Sequence, residues 1–259
     1  SGDPRVLFIT LSSACVFLDH IDLFPSSLQS KICRYALDIF APIAARLGMY
    51  AVKHRLERPA FSRLYTAEHE RIAEQLTLIH QEYGLFIHDT ALALQEFLIK
   101  QGVSARVMAR EKQPYSIFCK LRDRASNDPR SIIDLFALRI VVPTLEQCYQ
   151  SLGFTHHLGT PLSHRFRDYI SFPKPNGYQS LHTCLLGLPH APKDVMVEVQ
   201  IRTKRMNEIA EKGLAAHFKY KEGTQSEDRF DKWFVQIREA LGNQEEESID
   251  FLQDFKTSF

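Results

Sequence analysis

The sequence has 259 residues, of which 44% are hydrophobic and 24% charged, the proportions of a soluble globular protein large enough for two compact units. Its 32 Lys and Arg nearly balance its 31 Asp and Glu, so net charge indicates no particular partner. No apolar run approaches the ~20 residues of a membrane span, and the five scattered cysteines argue against a zinc site or disulfide framework and predict a reducing, cytoplasmic location.

The N-terminal part of the chain predicts a helical unit. Apolar residues recur at helical spacing from Ile32 to Leu47, and Gly48 marks the expected stop. A second apolar stripe runs from Ile72 to Leu98. It predicts one long helix that ends at Gly102 and that Gly84 could interrupt.

From Val103 onward the helical period gives way to alternation. Val103 to Ala109 predicts a strand, and Ile132 to Val142 is a denser apolar run typical of a central strand. The remaining predicted elements are a helix at 145–154, a loop at 165–180, strands at 181–187 and 195–202, and helices at 206–220, 229–241 and 249–255. The predicted fold class is therefore α+β, with a helical N-terminal unit followed by a mixed α/β unit.

The loop before the predicted strand pair combines cations, a glycine turn and an aromatic residue. Arg165, Arg167 and Lys174 supply positive charge. Asn176-Gly177 favours a turn whose backbone N–H groups can face a ligand, and Tyr178 offers a flat ring on which a base could stack. An ordinary hairpin turn whose tyrosine packs on a neighbour is the alternative.

A basic stretch precedes this loop. Between Arg106 and Arg124 the chain has six basic residues against two acids. Such a run usually forms a solvated face, but together with the cationic loop it indicates an anionic ligand.

Two carboxylates lie in or beside predicted strands. Asp134 interrupts an apolar run, where an ionised carboxylate is costly unless paired or metal-bound, although a frayed strand start would remove that cost. Alternation puts four residues on one face of the last predicted strand, Met196, Glu198, Gln200 and Arg202, and this too could be a solvated face. If the two strands are neighbours, Asp134 and Glu198 could hold Mg²⁺ together with substrate phosphates, or Glu198 could take a proton from an attacking hydroxyl.

Six sequence blocks occur in a characteristic order: Tyr115-Ser116-Ile117, Ile133-Asp134-Leu135, Arg165-Phe166-Arg167-Asp168-Tyr169, Pro173-Lys174-Pro175-Asn176-Gly177-Tyr178-Gln179-Ser180-Leu181-His182-Thr183, Glu198-Val199-Gln200-Ile201-Arg202-Thr203 and Gly213-Leu214-Ala215-Ala216-His217. In this order they resemble the synthetase domain of the RelA/SpoT family. The resemblance implies a nucleotidyltransferase-like mixed β-sheet flanked by helices. It also implies a pyrophosphokinase of the stringent response, which moves the β,γ-pyrophosphate of ATP onto the 3′-hydroxyl of GDP or GTP, making (p)ppGpp and releasing AMP.

The resemblance further implies a role for each matching residue. The residues facing ATP would be Arg110, Lys112, Ser116, Lys120 and Arg165. The residues near the acceptor GDP or GTP would be Asn176, Tyr178, Gln179, His182, Gln200 and Arg202, with Tyr178 stacked on guanine. Arg167 and Lys174 would neutralise the transferring pyrophosphate. Asp134 would hold Mg²⁺, and Glu198 would act as the base or as a second metal ligand.

Two positions depart from the family pattern. Arg167 stands where many members have Lys, which replaces a point charge with a planar fork. Gln113 stands where many members have His after the ATP-facing Lys112. The Arg-x-Arg-Asp pattern is closer to that of bifunctional members than to that of synthetase-only relatives.

The segment from Tyr35 to Met49 resembles the end of the family's hydrolase domain. Active hydrolases carry Lys-Leu-Ala-Asp-Arg, with the Asp on Mn²⁺, where this chain has Thr10-Leu11-Ser12-Ser13-Ala14, so hydrolysis is not expected. The predicted domains are a degenerate hydrolase remnant at 1–62, a connecting long helix at 63–102, the synthetase domain at 103–223 and a helical extension at 224–259. The opening Ser1-Gly2-Asp3-Pro4 predicts an excised fragment. Longer relatives engage the ribosome and tRNA through C-terminal regions, so ribosome binding by this chain is not expected.

Two other functions stay open on the sequence alone. One is a catalytically weak nucleotide-binding regulator, which the paired carboxylates and loop cations disfavour. The other is pyrophosphate transfer to another acceptor, such as an RNA 3′ end. The preference between GDP and GTP and the oligomeric state are not determined by these patterns.

Overall fold

The computed structural model describes residues 5–84, 86–123, 128–132 and 135–212, and these form two compact units. The described part of the first unit is 5–64, Pro175–Gly177 and 209–212. The second unit is Tyr65–Lys174 with Tyr178–Glu208. The predicted domain boundaries stay predictions, and the predicted extension at 224–259 lies outside the described residues.

The first unit is helical. Its elements are α1 (Arg5–Asp19), a 3₁₀ turn (Ile21–Leu23), α2 (Ser26–Tyr35), a π-helical turn (Ala36–Phe40), α3 (Ala41–Arg46) and α4 (Tyr50–Leu64). Leu11, Phe40, Leu56 and Phe61 are among the side chains buried in its core. The predicted stop at Gly48 is confirmed, because α3 ends at Arg46 and Gly48 has a φ of 71°, a left-handed conformation that glycine adopts without strain.

The second unit begins with two helices where one long helix was predicted. These are α5 (Thr66–Tyr83) and α6 (Phe86–Lys100). The prediction of a single helix is therefore wrong, and the predicted interruption at Gly84 is confirmed. The physical reason is the backbone of Gly84, whose φ of 64° and ψ of −152° lie far from helical values.

A six-stranded mixed sheet forms the centre of the second unit. Its strands are β1 (Arg106–Glu111), β2 (Phe136–Val142), β3 (Thr160–Pro161), β4 (Arg167–Asp168), β5 (Leu181–Leu186) and β6 (Val197–Thr203). The order is β1-β2-β6-β5-β3, with β4 paired to β5. Among the strands of the described residues, β2 and β6 run parallel and the other pairs are antiparallel. The predicted α+β class, a helical N-terminal unit followed by a mixed sheet flanked by helices, is confirmed.

Three further helices belong to this part of the chain: α7 (Pro114–Asp123), α8 (Leu145–Leu158) and α9 (Lys204–Lys212). The sequence patterns did not predict α7, although its buried residues Ile117 and Leu121 lie one helical turn apart. The predicted helix at 206–220 is described only as far as Lys212. The predicted helices at 229–241 and 249–255 lie outside the described residues.

One face of the sheet forms the core of the second unit. Leu138, Ile140, Val199 and Ile201 are completely buried there, and they share a hydrophobic cluster with Leu94 and Leu98 of α6 and Cys148 of α8. Alternation along each strand sends the remaining side chains to the opposite face. We call that opposite side the polar face; it carries Arg106, Arg110, Arg139, His182, Glu198, Gln200 and Arg202.

The predicted strands are present, but three begin later than predicted. The first begins at Arg106 instead of Val103, because the amide groups of Val103 and Ala105 hydrogen-bond to the carbonyls of Leu98 and Val103 in the turn after α6. Because edge residues fray and turn, strand ends are the least determined part of a sequence pattern.

Within the described residues, no helix combines the length and the apolar character needed to cross a membrane.

Candidate active site

The strand register brings the predicted site residues of β6 beside those of β5 and β1. Glu198 pairs with Ala137 on one side and Cys184 on the other. Ala137 in turn pairs with Arg110 of β1, so Arg110 lies two strands from Glu198 on the same face. Gln200 pairs with His182. Directly paired residues share a face of the sheet, so these side chains form one polar surface.

The polar face is not an ordinary solvated strand face. Gln200 is 4% exposed and Arg202 2% exposed. The side chains of His182 and Glu198 are 19% and 13% exposed. Burying so many polar groups is costly unless they are hydrogen-bonded or charge-paired, so the arrangement has to be built by specific contacts.

A row of hydrogen bonds joins the loop to the two central strands. The Tyr178 hydroxyl lies 2.8 Å from His182 Nε2. His182 Nδ1 lies 3.0 Å from Glu198 Oε1. The Gln200 side-chain amide donates to the same Glu198 oxygen at 3.1 Å. These consecutive contacts therefore link four predicted site residues, Tyr178, His182, Glu198 and Gln200.

Aromatic rings and two cations surround Tyr178. Tyr169, Tyr178 and His182 pack edge to face, with ring centroids 5.2 to 6.2 Å apart. Lys174 Nζ lies 4.6 Å from the Tyr169 centroid and 5.5 Å from that of Tyr178, and Arg202 Cζ lies 5.9 Å from Tyr178. These are cation–π distances, so both cations are held against the rings. Burial raises the pKa of Tyr178, although the Arg202 guanidinium acts in the opposite direction.

The cationic loop is held by a carboxylate turn. Asp168 Oδ1 accepts the backbone N–H groups of Ile170 and Ser171, at 2.9 and 2.8 Å. Its Oδ2 accepts the hydroxyls of Ser171 and Tyr149. Partial burial opposes ionisation, but these hydrogen bonds together lower the pKa of Asp168 below its usual range. The turn fixes the chain between Arg167 and the rings.

The two loop arginines differ in how they are held. Arg167 pairs with His182 across β4 and β5, and its Nη1 donates to the carbonyls of His164 and Phe166 at 3.0 and 2.6 Å. Arg165 is exposed at the end of a 3₁₀ turn. Arg165 therefore precedes β4, and Arg167 is the first residue of that strand.

The remaining ATP-facing predictions fall on β1, α7 and the link between them. Arg110 is exposed on β1, and Lys112 follows the strand directly. Ser116 and Lys120 lie one turn apart on α7, which begins at Pro114. Strand, link and helix N-terminus are consecutive in the chain.

Two acceptor-side predictions have structural contacts of their own. Gln179 donates its amide to the carbonyl of Ile170 at 3.1 Å, which ties the two ends of the loop together. Asn176 belongs to the first unit, where its amide donates to the carbonyl of Ala45 at 3.4 Å. Asp134 lies outside the described residues, two positions before β2 begins at Phe136.

Sequence reasoning left Arg139 and Tyr169 without a role. Arg139 pairs with Gln200 on one side and Met108 on the other, so it lies on the polar face. Its alternation with Ala137 and Val141 along β2 was the available signal. Tyr169 was recognised as part of a motif, and no sequence pattern showed that its ring packs against Lys174.

Comparisons with known proteins show what this chain is similar to. The model of the region found in RelA / SpoT proteins matches residues 109–225. The chain is 36% identical over 256 residues to a GTP pyrophosphokinase of Myxococcus xanthus, covering 98% of this chain and 33% of that protein. It is 35% identical over 262 residues to the bifunctional (p)ppGpp synthase/hydrolase SpoT of Escherichia coli K12, covering 98% of this chain and 36% of that protein. The chain thus spans about a third of the length of these curated relatives.

Among solved structures, the small alarmone synthetase 1 of Bacillus subtilis bound to its product pppGpp matches 71% of this chain and 99% of its own, at 21% identity and a TM-score of 0.45.

The motifs, the sheet and the family match define one class, α+β proteins that carry a RelA/SpoT region. Residues 109–225 carry this region, and the chain is similar to the two curated relatives along 98% of its own length.

Proposed function

We propose that this chain is a GTP pyrophosphokinase that transfers the β,γ-pyrophosphate of ATP to the 3′-hydroxyl of GDP or GTP, forming (p)ppGpp and AMP. The observation that carries the proposal is the polar face, on which Glu198 is hydrogen-bonded to His182 and Gln200 while Arg139 lies on the neighbouring strand β2 and Arg110 on β1 beyond it. The GTP pyrophosphokinase of Myxococcus xanthus, matched along nearly the whole chain, supports it.

The proposed chemistry is positioning and charge stabilisation. The acceptor 3′-oxygen bonds to the β-phosphorus of ATP, the bond from that phosphorus to the α–β bridging oxygen breaks, and AMP leaves. Glu198 accepts the proton of the 3′-hydroxyl. Arg167 and Lys174 offset the negative charge on the transferring group, and Tyr178 stacks on the acceptor base.

On the ATP side, the proposal assigns binding to Arg110, Lys112, Ser116, Lys120 and Arg165. Cationic side chains beside a helix N-terminus are the groups that bind phosphates in many nucleotide sites. The acceptor side is assigned to Asn176, Gln179, His182, Gln200 and Arg202 together with Tyr178. The contacts of Gln179 with Ile170 and of Asn176 with Ala45 mean that these two amides also support the loop.

A divalent cation, which we propose to be Mg²⁺, belongs to this chemistry. Carboxylate oxygens are its preferred protein ligands, and Glu198 presents such a group on β6, the strand that pairs with the one following Asp134. The donor set therefore fits, with Asp134 as the residue that would hold it and Glu198 as a second ligand in the alternative in which it does not act as the base. When bound, the cation would offset charge on the phosphates.

Hydrolysis of the alarmone is not part of the proposal, although several relatives are named hydrolases. The run Thr10–Ala14 lacks an acidic residue where the family's active hydrolases carry the Asp on Mn²⁺. Incubation of purified chain with ppGpp and Mn²⁺ is expected to leave the nucleotide intact. Release of pyrophosphate would show that the chain hydrolyses it. We further propose a cytoplasmic location, consistent with five free cysteines.

The test of the synthetase is incubation with γ-labelled ATP, Mg²⁺ and either GDP or GTP, followed by chromatography. Label is expected in guanosine tetra- or pentaphosphate, with AMP released. Glu198→Gln keeps the size and hydrogen-bonding capacity of the side chain but removes its charge and basicity, so transfer should fall by ~10²- to 10⁴-fold. Asp134→Asn should also abolish transfer. Glu96→Gln, at an exposed position on α6, is the matched control and should transfer normally.

Other outcomes of this incubation would indicate other functions. Binding of ATP or GDP without transfer would indicate a regulatory nucleotide-binding fragment. Label on an RNA 3′ end, with none on GDP or GTP, would change the acceptor. Near-normal transfer by both carboxylate variants would contradict the assigned site.

A further inference from the structure

His182 stands between the ring assigned to the acceptor base and the carboxylate assigned to the acceptor hydroxyl. Its two ring nitrogens face different partners, Nε2 facing the Tyr178 hydroxyl at 2.8 Å and Nδ1 facing Glu198 Oε1 at 3.0 Å. In the strand register His182 pairs with Gln200 and not with Glu198. The contact with Glu198 is therefore a diagonal one across β5 and β6.

The chemistry of the donors and acceptors fixes which atom donates in each hydrogen bond of this row. An ionised Glu198 can only accept, so Nδ1 of His182 carries the proton that it donates. Nε2 of a neutral imidazole is then an acceptor, and the Tyr178 hydroxyl donates to it. Because burial raises the pKa of Tyr178, its hydroxyl keeps the proton that this bond needs. Gln200 supplies a second donor to the same Glu198 oxygen.

The Tyr178 hydroxyl indicates a role for this residue beyond stacking. A platform for stacking a base needs only the aromatic ring, which phenylalanine would supply equally well. The hydroxyl adds nothing to stacking, yet it is placed on the imidazole that contacts Glu198. Backbone hydrogen bonds from Lys174 to Tyr178 at 3.1 Å and from Tyr169 to Ser180 at 3.0 Å hold the loop in the position that makes this contact.

We propose that His182 is a positioning residue that couples the Tyr178 ring to the Glu198 carboxylate, so that a base stacked on the ring sets the orientation of the group that receives the acceptor's proton. The inference rests on the proposed pyrophosphokinase function and adds a route from acceptor binding to proton transfer. It does not require His182 to change its protonation state.

The kinetic test separates stacking from positioning. Tyr178→Phe keeps the ring and removes the hydroxyl, so kcat should fall roughly 3- to 10-fold, the value of about one hydrogen bond, while KM for GDP changes less than about 2-fold. His182→Asn keeps a donor near the Nδ1 position and loses the acceptor for Tyr178, so it should show the same split. Both substitutions break the same hydrogen bond, the one between Tyr178 and His182. The double variant should therefore be no slower than the slower single variant.

Two matched variants control for general damage. Tyr83→Phe removes a hydroxyl from a ring that packs against Phe86 and Phe136 outside the polar face. His190→Asn changes an exposed loop histidine whose φ of 63° asparagine tolerates. Both should keep wild-type kcat and KM. Wild-type kcat in Tyr178→Phe, or multiplicative losses in the double variant, would overturn the coupling.

A second readout needs no turnover. Nitrogen-15 NMR of the His182 ring should show the Nδ1-protonated tautomer in the nucleotide-free wild type. GDP should shift the His182 resonances, and the shift should be markedly smaller in Tyr178→Phe. An Nε2-protonated ring, or no GDP-dependent shift in the wild type, overturns the inference. Absence of transfer by a wild-type chain that passes these NMR tests would instead count against the proposed function alone.

Discussion

At Asp168, one side chain determines the path of the cationic loop. The carboxylate accepts two backbone N–H groups and two hydroxyls, which hold the chain in a turn directly after Arg167. Sequence alone marked this residue only as part of a motif. Ser171 is a local partner three residues away, whereas Tyr149 is 19 residues away and meets Asp168 only because α8 is folded beside the loop.

Asp168→Asn should therefore reduce stability in a pH-dependent way. The pKa of Asp168 is lowered in the folded chain, so its contribution to stability is complete above the unfolded value of about 3.9 and is lost as pH falls through the lower folded value. Thermal unfolding should show the variant less stable than wild type at pH 7, with the difference shrinking in acid below about pH 4. Asp194→Asn, at an exposed position, should show no such difference. A gap in Tm that is constant down to acid pH would contradict this role.

At the scale of elements, the break between α5 and α6 depends on one residue. Gly84 has a φ of 64°, and a Cβ added there would meet nothing within 4 Å. Alanine would therefore be unfavourable through backbone conformation and not through a clash. Gly153 is the contrasting case, since it lies inside α8 and a Cβ there also meets nothing within 4 Å.

The two glycines should respond to alanine in opposite directions. Gly84→Ala should lower the free energy of unfolding by about 1–3 kcal/mol, the cost of holding a side-chain-bearing residue in a glycine region of φ and ψ. Gly153→Ala should raise it by roughly 0.5–1 kcal/mol, because alanine is the better helix former. Urea denaturation of both variants measures the difference. Equal effects of the same sign would show that the backbone at Gly84 is not constrained as described.

At this scale, the alternation of side chains along a strand predicted the most about the site. It correctly placed Glu198, Gln200 and Arg202 on one face of β6. It could not show whether that face is solvated or buried, because burial depends on which other elements pack over it. The helix α7 was missed because it is only 10 residues long and lies in a stretch whose basic residues were interpreted as a solvated face.

At the scale of the molecule, the burial of the cysteine side chains shows how closely each unit is packed. Cys15 and Cys33 are buried in the first unit, and Cys148 and Cys184 in the second. Burial raises the pKa of Cys148 to about 12, so its thiol stays protonated and unreactive at neutral pH. Cys119 on α7 is the half-buried exception.

Thiol labelling at pH 8 should therefore show one fast phase in the native chain. Cys119→Ser should remove that phase, and Cys184→Ser should leave it unchanged. The buried thiols should react only as denaturant unfolds their own unit. Rapid native-state labelling of Cys148 would contradict the packing of α8 against the sheet.

The sequence by itself determined the helical-then-mixed architecture, the stop at Gly48, the alternation of β6 and the family blocks that identify the candidate site. These depend on periodicity, backbone freedom and residue chemistry, which are local properties of the chain. Only the tertiary structure decided that Tyr178 is bonded to His182 and His182 to Glu198, and that Arg139 shares their face. Such contacts follow from strand order and register, because β6 pairs with β5 across the connection 187–196 and with β2 across the much longer stretch 143–196.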